Sequence, residues 1–271
     1  MTHRREKKSA KKWKIKDIIY VSLAVLFSIS ILYMTFMYFT NPPQSPPESP
    51  KLFAAIIDPL SINQPNQTFI SEVGTLLQTK GYTVDVYSWE VVTVDFYQAL
   101  PVFGYDLIII RTPQCLIEGQ QEQDYGIPIF LVTSEEYDQE KYALMQQNGQ
   151  VVSAQPFNDD KQYFALSPDF VFEIMQGEFE DTFIIITGSF GLYDASLAID
   201  LFDKGALAIV GWNGRITSSN ADSATILLFK NLLIEKMKLE QAVEDINKIF
   251  ATEWSSLGYY PKSAGEIRYV Y

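Results

Sequence analysis

The segment TFIIITGSFGLYDASLAIDLFDKGALAIVGW, residues 182–212, decides the fold. It opens with an apolar run at 182–187 and closes with another at 206–212. Short continuous apolar runs are typical of strands that are buried on both faces of a parallel sheet. The residues between them, 193–204, have the apolar spacing of a helix. A strand, a helix and a second strand in this order predict a parallel βαβ unit.

The preceding residues repeat this pattern. The runs LFAAII, YTVDVY and YDLIIIR predict strands at 52–57, 82–87 and 105–111, and the spacing at 68–80 predicts a helix between the first two. Further predictions are a fourth or accessory strand at 128–133, short helices at 93–100, 138–147 and 168–175, an irregular segment at 149–165, and amphipathic helices at 219–236 and 239–249. The expected fold class is α/β, with three layers around a mostly parallel sheet.

The N-terminal part of the chain has a different composition. Residues 1–17 carry eight basic side chains against two acidic ones, whereas the rest carries 13 basic and 31 acidic side chains, a balance of −18. Residues 18–39 contain no charge over 22 positions, which as a helix would measure about 33 Å and match the hydrocarbon core of a bilayer. They predict a transmembrane anchor. A cleaved signal peptide is the alternative, but this segment ends in Met37, Tyr38 and Phe39 rather than in small residues.

Four parts of the chain follow from this composition. The positive-inside rule makes residues 1–17 a cytoplasmic tail and residues 18–39 a single-pass anchor in the lipid bilayer, so that the remainder is exported. Residues 40–51 include NPPQSPPESP, whose five prolines favour an extended stalk. Residues 52–271 are then an acidic extracytoplasmic domain at the cell membrane.

Charge and rare residue types argue against several functions. The acidic balance of the domain repels phosphate backbones, so no nucleic-acid partner is expected. Cys115 is the single cysteine, which rules out an intramolecular disulfide and a thiolate zinc cluster. His3, in the basic tail, is the single histidine and leaves the domain without an imidazole. No calcium-loop pattern occurs, and neither a metal nor a cofactor is expected.

Ligands of open α/β sheets bind at the carboxyl ends of the strands. The loops at this edge contain Asp58 and residues 111–115, 188–191 and 212–219. In TGSFG, Ser189 directly follows a predicted strand, as the serine of a nucleophile elbow does. The glycine that such an elbow requires two residues earlier is absent, and no histidine is present to take the serine proton. A small residue in a tight turn is therefore the favoured interpretation of this position.

Two further positions allow both a functional and a structural interpretation. Cys115 lacks an imidazole that would lower the pKa of its thiol, so it is expected to be a packed, unreactive side chain. Asn66 begins the triplet Asn-Gln-Thr, a glycosylation sequon in an exported domain, although such triplets often arise by chance.

Residues 182–247 resemble the caspase-like superfamily of clan CD peptidases and its CHAT-type relatives. The resemblance rests on FIIITGSFGLYDASLAIDLFDKGALAIVGWNGRITSSNADSATILLFKNLL, in which a strand that ends at the catalytic position is followed by a helix, a strand that reads GALAIVGW and another helix. It implies that Ser189 occupies the position of the catalytic cysteine. It also implies that Pro113, after YDLIIIR, occupies the position of the catalytic histidine. Both are substituted, and the resemblance therefore implies a degenerate member without peptidase activity.

The leading hypothesis is a non-enzymatic, caspase-like ectodomain that binds a protein or peptide partner or serves as a scaffold. The resemblance implies that a specificity pocket persists as a groove near Trp212 and Asn213, and Arg111 and Ser189 complete the candidate ligand-binding residues. A hydrolase that uses Ser189 or Cys115 with an unconventional base is the first alternative. A small-ligand sensor that resembles flavodoxin-like or periplasmic-binding half-domains is the second.

Overall fold

The computed structural model describes residues 15–40, 51–61, 63–113, 115–117, 131–156, 160–193 and 195–268. The chain divides into two compact units, Met1–Pro50 and Lys51–Tyr271. In the first unit, helix α1 covers Ile15–Thr40. Among the residues with a described placement, no helix meets both the length and the apolarity that crossing a membrane requires. Most of the basic tail and of the proline-rich stalk lies outside the described residues, and the anchor stays a prediction.

The second unit contains the remaining helices and all the described strands. The strands are β1 (Leu52–Asp58), β2 (Tyr82–Ser88), β3 (Leu107–Ile110), β4 (Cys115–Ile117), β5 (Leu131–Glu136), β6 (Val151–Pro156), β7 (Tyr163–Leu166), β8 (Phe183–Ile186), β9 (Ala208–Trp212) and β10 (Leu257–Tyr260). The helices are α2 (Gln67–Gln78), α3 (Val94–Ala99), α4 (Ala143–Gln147), α5 (Pro168–Glu173), α6 (Ser196–Asp203), α7 (Ser218–Phe229) and α8 (Leu239–Phe250).

A six-stranded sheet forms the centre of this unit. Its strand order is β10-β9-β8-β3-β1-β2, and every neighbouring pair is parallel except β10 with β9. A separate four-stranded antiparallel sheet has the order β4-β6-β7-β5. The prediction of an α/β fold with a mostly parallel sheet is confirmed.

Both faces of the central strands of the large sheet are buried. Along β1, Ala54 and Ile56 belong to a cluster that contains the apolar faces of α2, α7 and α8, whereas Ala55 and Ile57 belong to a second cluster with α3, α5 and α6. Successive side chains of a strand point to opposite faces, so a strand covered on both sides must be apolar at every position. This requirement explains the uninterrupted apolar runs in the sequence.

Two helices begin later than predicted for a local backbone reason, and a third changes its helix type. The predicted helix at 193–204 begins only at Ser196, because Ala195 has a φ of 60°. The predicted helix at 138–147 begins only at Ala143, because Tyr142 has a φ of 55°. The predicted helix at 219–236 is α-helical to Phe229 and continues as a π-helix over Lys230–Ile234. A left-handed residue cannot continue a right-handed helix, so it fixes the first turn.

The four-stranded sheet corrects one prediction and decides another. Residues 149–165, expected to be irregular, contain β6 and most of β7. The strand at 128–133, expected to be a fourth or an accessory strand, is described from Leu131 and is an accessory strand that pairs with β7 in the smaller sheet. Alternate residues of β7 pack into different apolar clusters, Phe164 into one and Ala165 into another. Tertiary contacts on both sides therefore stabilise strands too short to show a periodic pattern.

We expect Gly205→Ala to destabilise the domain by about 2–3 kcal/mol. Gly205 has a φ of +96°, and a Cβ there would lie 2.2 Å from the carbonyl oxygen of Phe179. Gly74→Ala is the matched control, because no atom lies within 4 Å of its added Cβ and alanine favours helix by up to ~1 kcal/mol. Urea unfolding followed by tryptophan fluorescence measures both. Equal stability of the two variants would contradict the strained turn.

Candidate functional site

The carboxyl ends of β1, β3 and β8 lie side by side at one edge of the parallel sheet. Ladder hydrogen bonds extend past the strand ends, because the amide of Arg111 donates to the carbonyl of Ile57 (2.9 Å) and the amide of Thr187 donates to the carbonyl of Ile110 (2.9 Å). The loops that follow these strands therefore start at the same level and face one another.

These loops enclose a cleft of about 250 Å³. Its lining comes from Pro59, Leu60, Asn63 and Gln64 after β1, Trp89 after β2, Thr112 and Pro113 after β3, Pro156 at the end of β6, Thr187, Gly188 and Ser189 after β8, and Ile216, Thr217, Ser218 and Asp222 before and within α7. Pro113 and Ser189, the two positions that the sequence paired, thus line one cleft.

Ser189 uses its hydroxyl to hold two loops together. Its Oγ donates to the carbonyl oxygen of Ile216 and accepts from the amide of the same residue, each at 3.0 Å. The hydroxyl proton is therefore directed at a carbonyl oxygen, which cannot act as a general base. Gly188 permits the close approach on the other side, since a Cβ there would lie 2.3 Å from the methyl carbon of Thr112.

Arg111 lies beneath this cleft and is 1% exposed. Its Nη1 donates to Asp58 Oδ1 at 2.7 Å, while its Nε and Nη2 donate to the two carboxylate oxygens of Asp222 at 2.9 and 2.8 Å. The guanidinium also lies 5.2 Å from the ring centroid of Phe69. The bidentate pair with Asp222 and the bond to Asp58 connect the end of β1, the end of β3 and the first turns of α7.

This buried network carries two carboxylates for one guanidinium. Burial raises the pKa of the Asp58 carboxyl, although the charge of Arg111 and its hydrogen bond oppose the shift. Burial acts to lower the pKa of Arg111, but its bonds and charge interactions with Asp222 and Asp58 outweigh burial and raise it. One surplus negative charge therefore lies behind the cleft when both carboxyl groups are ionised.

Asn66 extends the network to α2. Its Oδ1 accepts from the amide of Phe69 at 3.0 Å and caps the helix, and its Nδ2 donates to Asp222 Oδ2 at 2.8 Å. The side chain of the glycosylation sequon thus has a structural role at both ends of its amide.

Trp212 and Asn213 do not line the cleft. Trp212 is 1% exposed within the apolar core at the end of β9. The amide of Asn213 donates to the carbonyl of Ser256 (3.0 Å), and its Oδ1 accepts from the Ser256 amide (2.7 Å). Both residues thus join β9 to the segment that leads into β10.

Cys115 begins β4, opposite Pro156. Its thiol donates to the carbonyl of Pro113 at 3.7 Å, and burial raises the pKa of the thiol. A raised pKa reduces the thiolate fraction, which is the nucleophilic form. Within the described part of the chain, no group of three or more histidine, cysteine or carboxylate side chains is arranged to hold a metal ion.

Two residues of this site, Asp222 and Trp89, were not identified from the sequence. Asp222 lies on the buried face of α7 with Ala221 and Thr225, and a carboxylate on such a face requires a partner. That requirement was a readable signal, but the sequence does not identify Arg111 as the partner. Trp89 gave no signal, because it reaches the cleft from beyond the edge strand.

Comparison with known proteins assigns this chain to no family. No family model matches it. No curated protein sequence matches it either. Among solved structures it is similar to protein GSU0716 from Geobacter sulfurreducens, at 9% sequence identity and a TM-score of 0.42, with 82% of this chain and 99% of that chain covered. A TM-score this low supports no argument about the site.

We expect Arg111→Met to destabilise the domain by about 3–5 kcal/mol, because it leaves two buried carboxylates without a cation. Asp58→Asn is the matched variant and keeps an oxygen that can accept from Arg111 and from the Leu60 amide. It removes the surplus charge, so its effect should stay within about 1 kcal/mol. Urea unfolding of both variants measures the difference. An equal decrease in the free energy of unfolding for both variants would show that the surplus charge does not weaken the native network.

Proposed function

We propose that residues 52–271 are a non-catalytic, caspase-like binding domain held at the outer face of the cell membrane by the N-terminal helix. The observation that carries this proposal is the hydrogen bonding of the Ser189 hydroxyl in the cleft. It donates to the carbonyl oxygen of Ile216 and accepts from the amide of the same residue. In clan CD peptidases, which the sequence resembles, the corresponding position provides the nucleophile. Here the hydroxyl supports the wall of a binding site instead.

The composition of the cleft supports the same proposal. Its described lining contains no histidine, lysine, cysteine or glutamate that could act as a base, and His3 is the only histidine of the chain. The one carboxylate in that lining, Asp222, is bonded to Arg111 and Asn66. A general base must lie within hydrogen-bond reach of the proton that it takes, and the Ser189 hydroxyl donates to the carbonyl oxygen of Ile216, not to Asp222.

The caspase-like assignment draws support from strand order. The resemblance requires that the strands before Pro113 and Ser189 be parallel neighbours, and β3 and β8 are paired in this way. It also requires that both residues face one ligand site, and both line the cleft. This support comes from the geometry of the scaffold. The residues at the catalytic positions, Pro113 and Ser189, argue separately against peptidase activity.

Activity-probe labelling tests the absence of catalysis. We expect a fluorophosphonate probe and an iodoacetamide probe to leave the native full-length chain unlabelled. Ser189 lacks a base, and Cys115 is partly buried with a thiol whose pKa burial raises. Iodoacetamide should label Cys115 once urea unfolds the chain. Ser189→Ala and Cys115→Ala are the controls. Native labelling that either substitution abolishes would establish the hydrolase alternative.

Membrane fractionation tests the anchor. We expect the full-length chain to stay in the membrane pellet after an alkaline carbonate wash, since 22 uncharged residues suffice to span a bilayer. Leu26→Arg together with Ile29→Arg should release it, because each charge at the centre of a span costs about 2.5–3.5 kcal/mol. Leu26→Ile with Ile29→Leu is the neutral control. Release of the unaltered chain by the wash would contradict the proposal.

A further inference from the structure

The polar groups of the cleft are mostly uncharged. Asn63 and Gln64 contribute amides on one side, and Thr217 and Ser218 contribute hydroxyls at the start of α7. Amides and hydroxyls both donate and accept hydrogen bonds, so they match a ligand that does the same. Among the described lining residues there is no lysine, arginine or histidine that would attract an anion.

The charge behind the cleft disfavours anionic ligands. When both are ionised, Asp58 and Asp222 together exceed the charge of Arg111 by one, and the chain beyond residue 17 has a balance of −18. A negatively charged ligand would enter against this potential without a cation to bind it. This potential disfavours an anionic ligand. The single charged side chain of the described lining, Asp222, already accepts hydrogen bonds from Arg111 and Asn66, so its carboxylate is not left to pair with a cationic ligand either.

Trp89 adds an aromatic surface to this polar lining. Its ring is braced edge-on against Tyr163, with ring centroids 4.7 Å apart, and its backbone amide donates to Ser61 Oγ at 2.8 Å. An aromatic plane beside amides and hydroxyls is complementary to a sugar ring, whose C–H face is apolar and whose edge is polar. The volume of about 250 Å³ lies below the ~300–1,000 Å³ of sites for drug-sized ligands and fits one such ring.

A second tryptophan lies on a loop adjoining the cleft. Trp254 is 80% exposed, in a turn closed by a 2.8 Å hydrogen bond from the Thr252 amide to the Ser255 carbonyl. Its backbone packs tightly on Gly214, since a Cβ at Gly214 would lie 2.0 Å from the Trp254 carbonyl oxygen. Gly214 precedes Ile216, which lines the cleft, by two residues. An aromatic side chain that is held exposed in this way is available for contact with a ligand.

We infer that the cleft binds one ring of a neutral glycan, with Trp89 against the ring face, and that a longer glycan chain extends to Trp254. The inference rests on the proposed binding function and specifies its ligand. It goes beyond that proposal in requiring an uncharged, polyhydroxylated ligand, whereas the sequence led to the hypothesis of a protein or peptide partner.

The test uses the full-length chain in lipid nanodiscs, which avoids sugar-containing detergents. Chitohexaose, maltohexaose and mannohexaose are titrated by calorimetry, with hexagalacturonate as an anionic oligosaccharide. We expect at least one neutral hexasaccharide to bind, and hexagalacturonate to bind at least about tenfold more weakly because of the surplus negative charge. No binding of any neutral hexasaccharide at 10 mM, a limit of about 3 kcal/mol in binding free energy, overturns the inference.

Variants locate the binding site. Trp89→Ala should weaken binding by about tenfold or more, whereas Trp89→Tyr should retain most of it, because an aromatic face remains. Trp254→Ala should weaken binding of the hexasaccharide but not of the disaccharide made of the same sugar, which is titrated in parallel. Leu144→Ala, at a 70% exposed position on α4, is the control and should change nothing. Binding that Trp89→Ala leaves unchanged in a folded protein overturns the inference.

The same variants separate this inference from the proposed function. If a peptide array binds the chain and Trp89→Ala abolishes that binding while the glycans fail, the domain is a binding module and the glycan inference is wrong. If neutral glycans bind and are also hydrolysed, the inference about the ligand stands and the proposal of a non-catalytic domain is wrong.

Discussion

The guanidinium of Arg111 is removed from water at the end of β3, and it is stable there because carboxylates from two other segments surround it. Taking an unpaired charge out of water would destabilise the fold by several kcal/mol, so the ends of β1, β3 and α7 must come together for any of them to be stable. Asn66 adds the start of α2 through Asp222. The walls of the cleft are thus built on this network.

The residues of the cleft have structural tasks that a catalytic residue would not have. Ser189 is bonded to the backbone of Ile216, and Gly188 is held against Thr112 at a distance that no side chain would permit. A catalytic serine needs a base aimed at its oxygen and a hydroxyl free to turn toward substrate. In this domain the same position stabilises the loop geometry. Under the proposed function, this loop geometry serves ligand binding and not catalysis.

The parts of the fold that could be predicted from the sequence are the strands that are buried on both faces of the sheet along their whole length. The runs at β1, β3, β8 and β9 stood out because both faces of the sheet are covered. The strands β6 and β7 were missed, since their burial depends on contacts with distant segments rather than on a local pattern. Helix starts were misplaced where a single left-handed residue, such as Ala195 or Tyr142, sets the first turn. The spacing of apolar residues carries no information about the φ angle of a single residue.

For the site, the sequence by itself determined which loops to examine and which chemistry is missing. The strand ends at Asp58, Arg111 and Ser189 could be predicted because buried parallel strands are uninterrupted apolar runs in the sequence. The absence of an imidazole from the domain follows from its composition. Only the tertiary structure decided that Asp222 pairs with Arg111, that Trp89 reaches the cleft, and that Trp212 and Asn213 serve the core and the β9–β10 connection instead. Those contacts join segments far apart in the chain, and the side-chain distances that define them exist only once the sheet has formed.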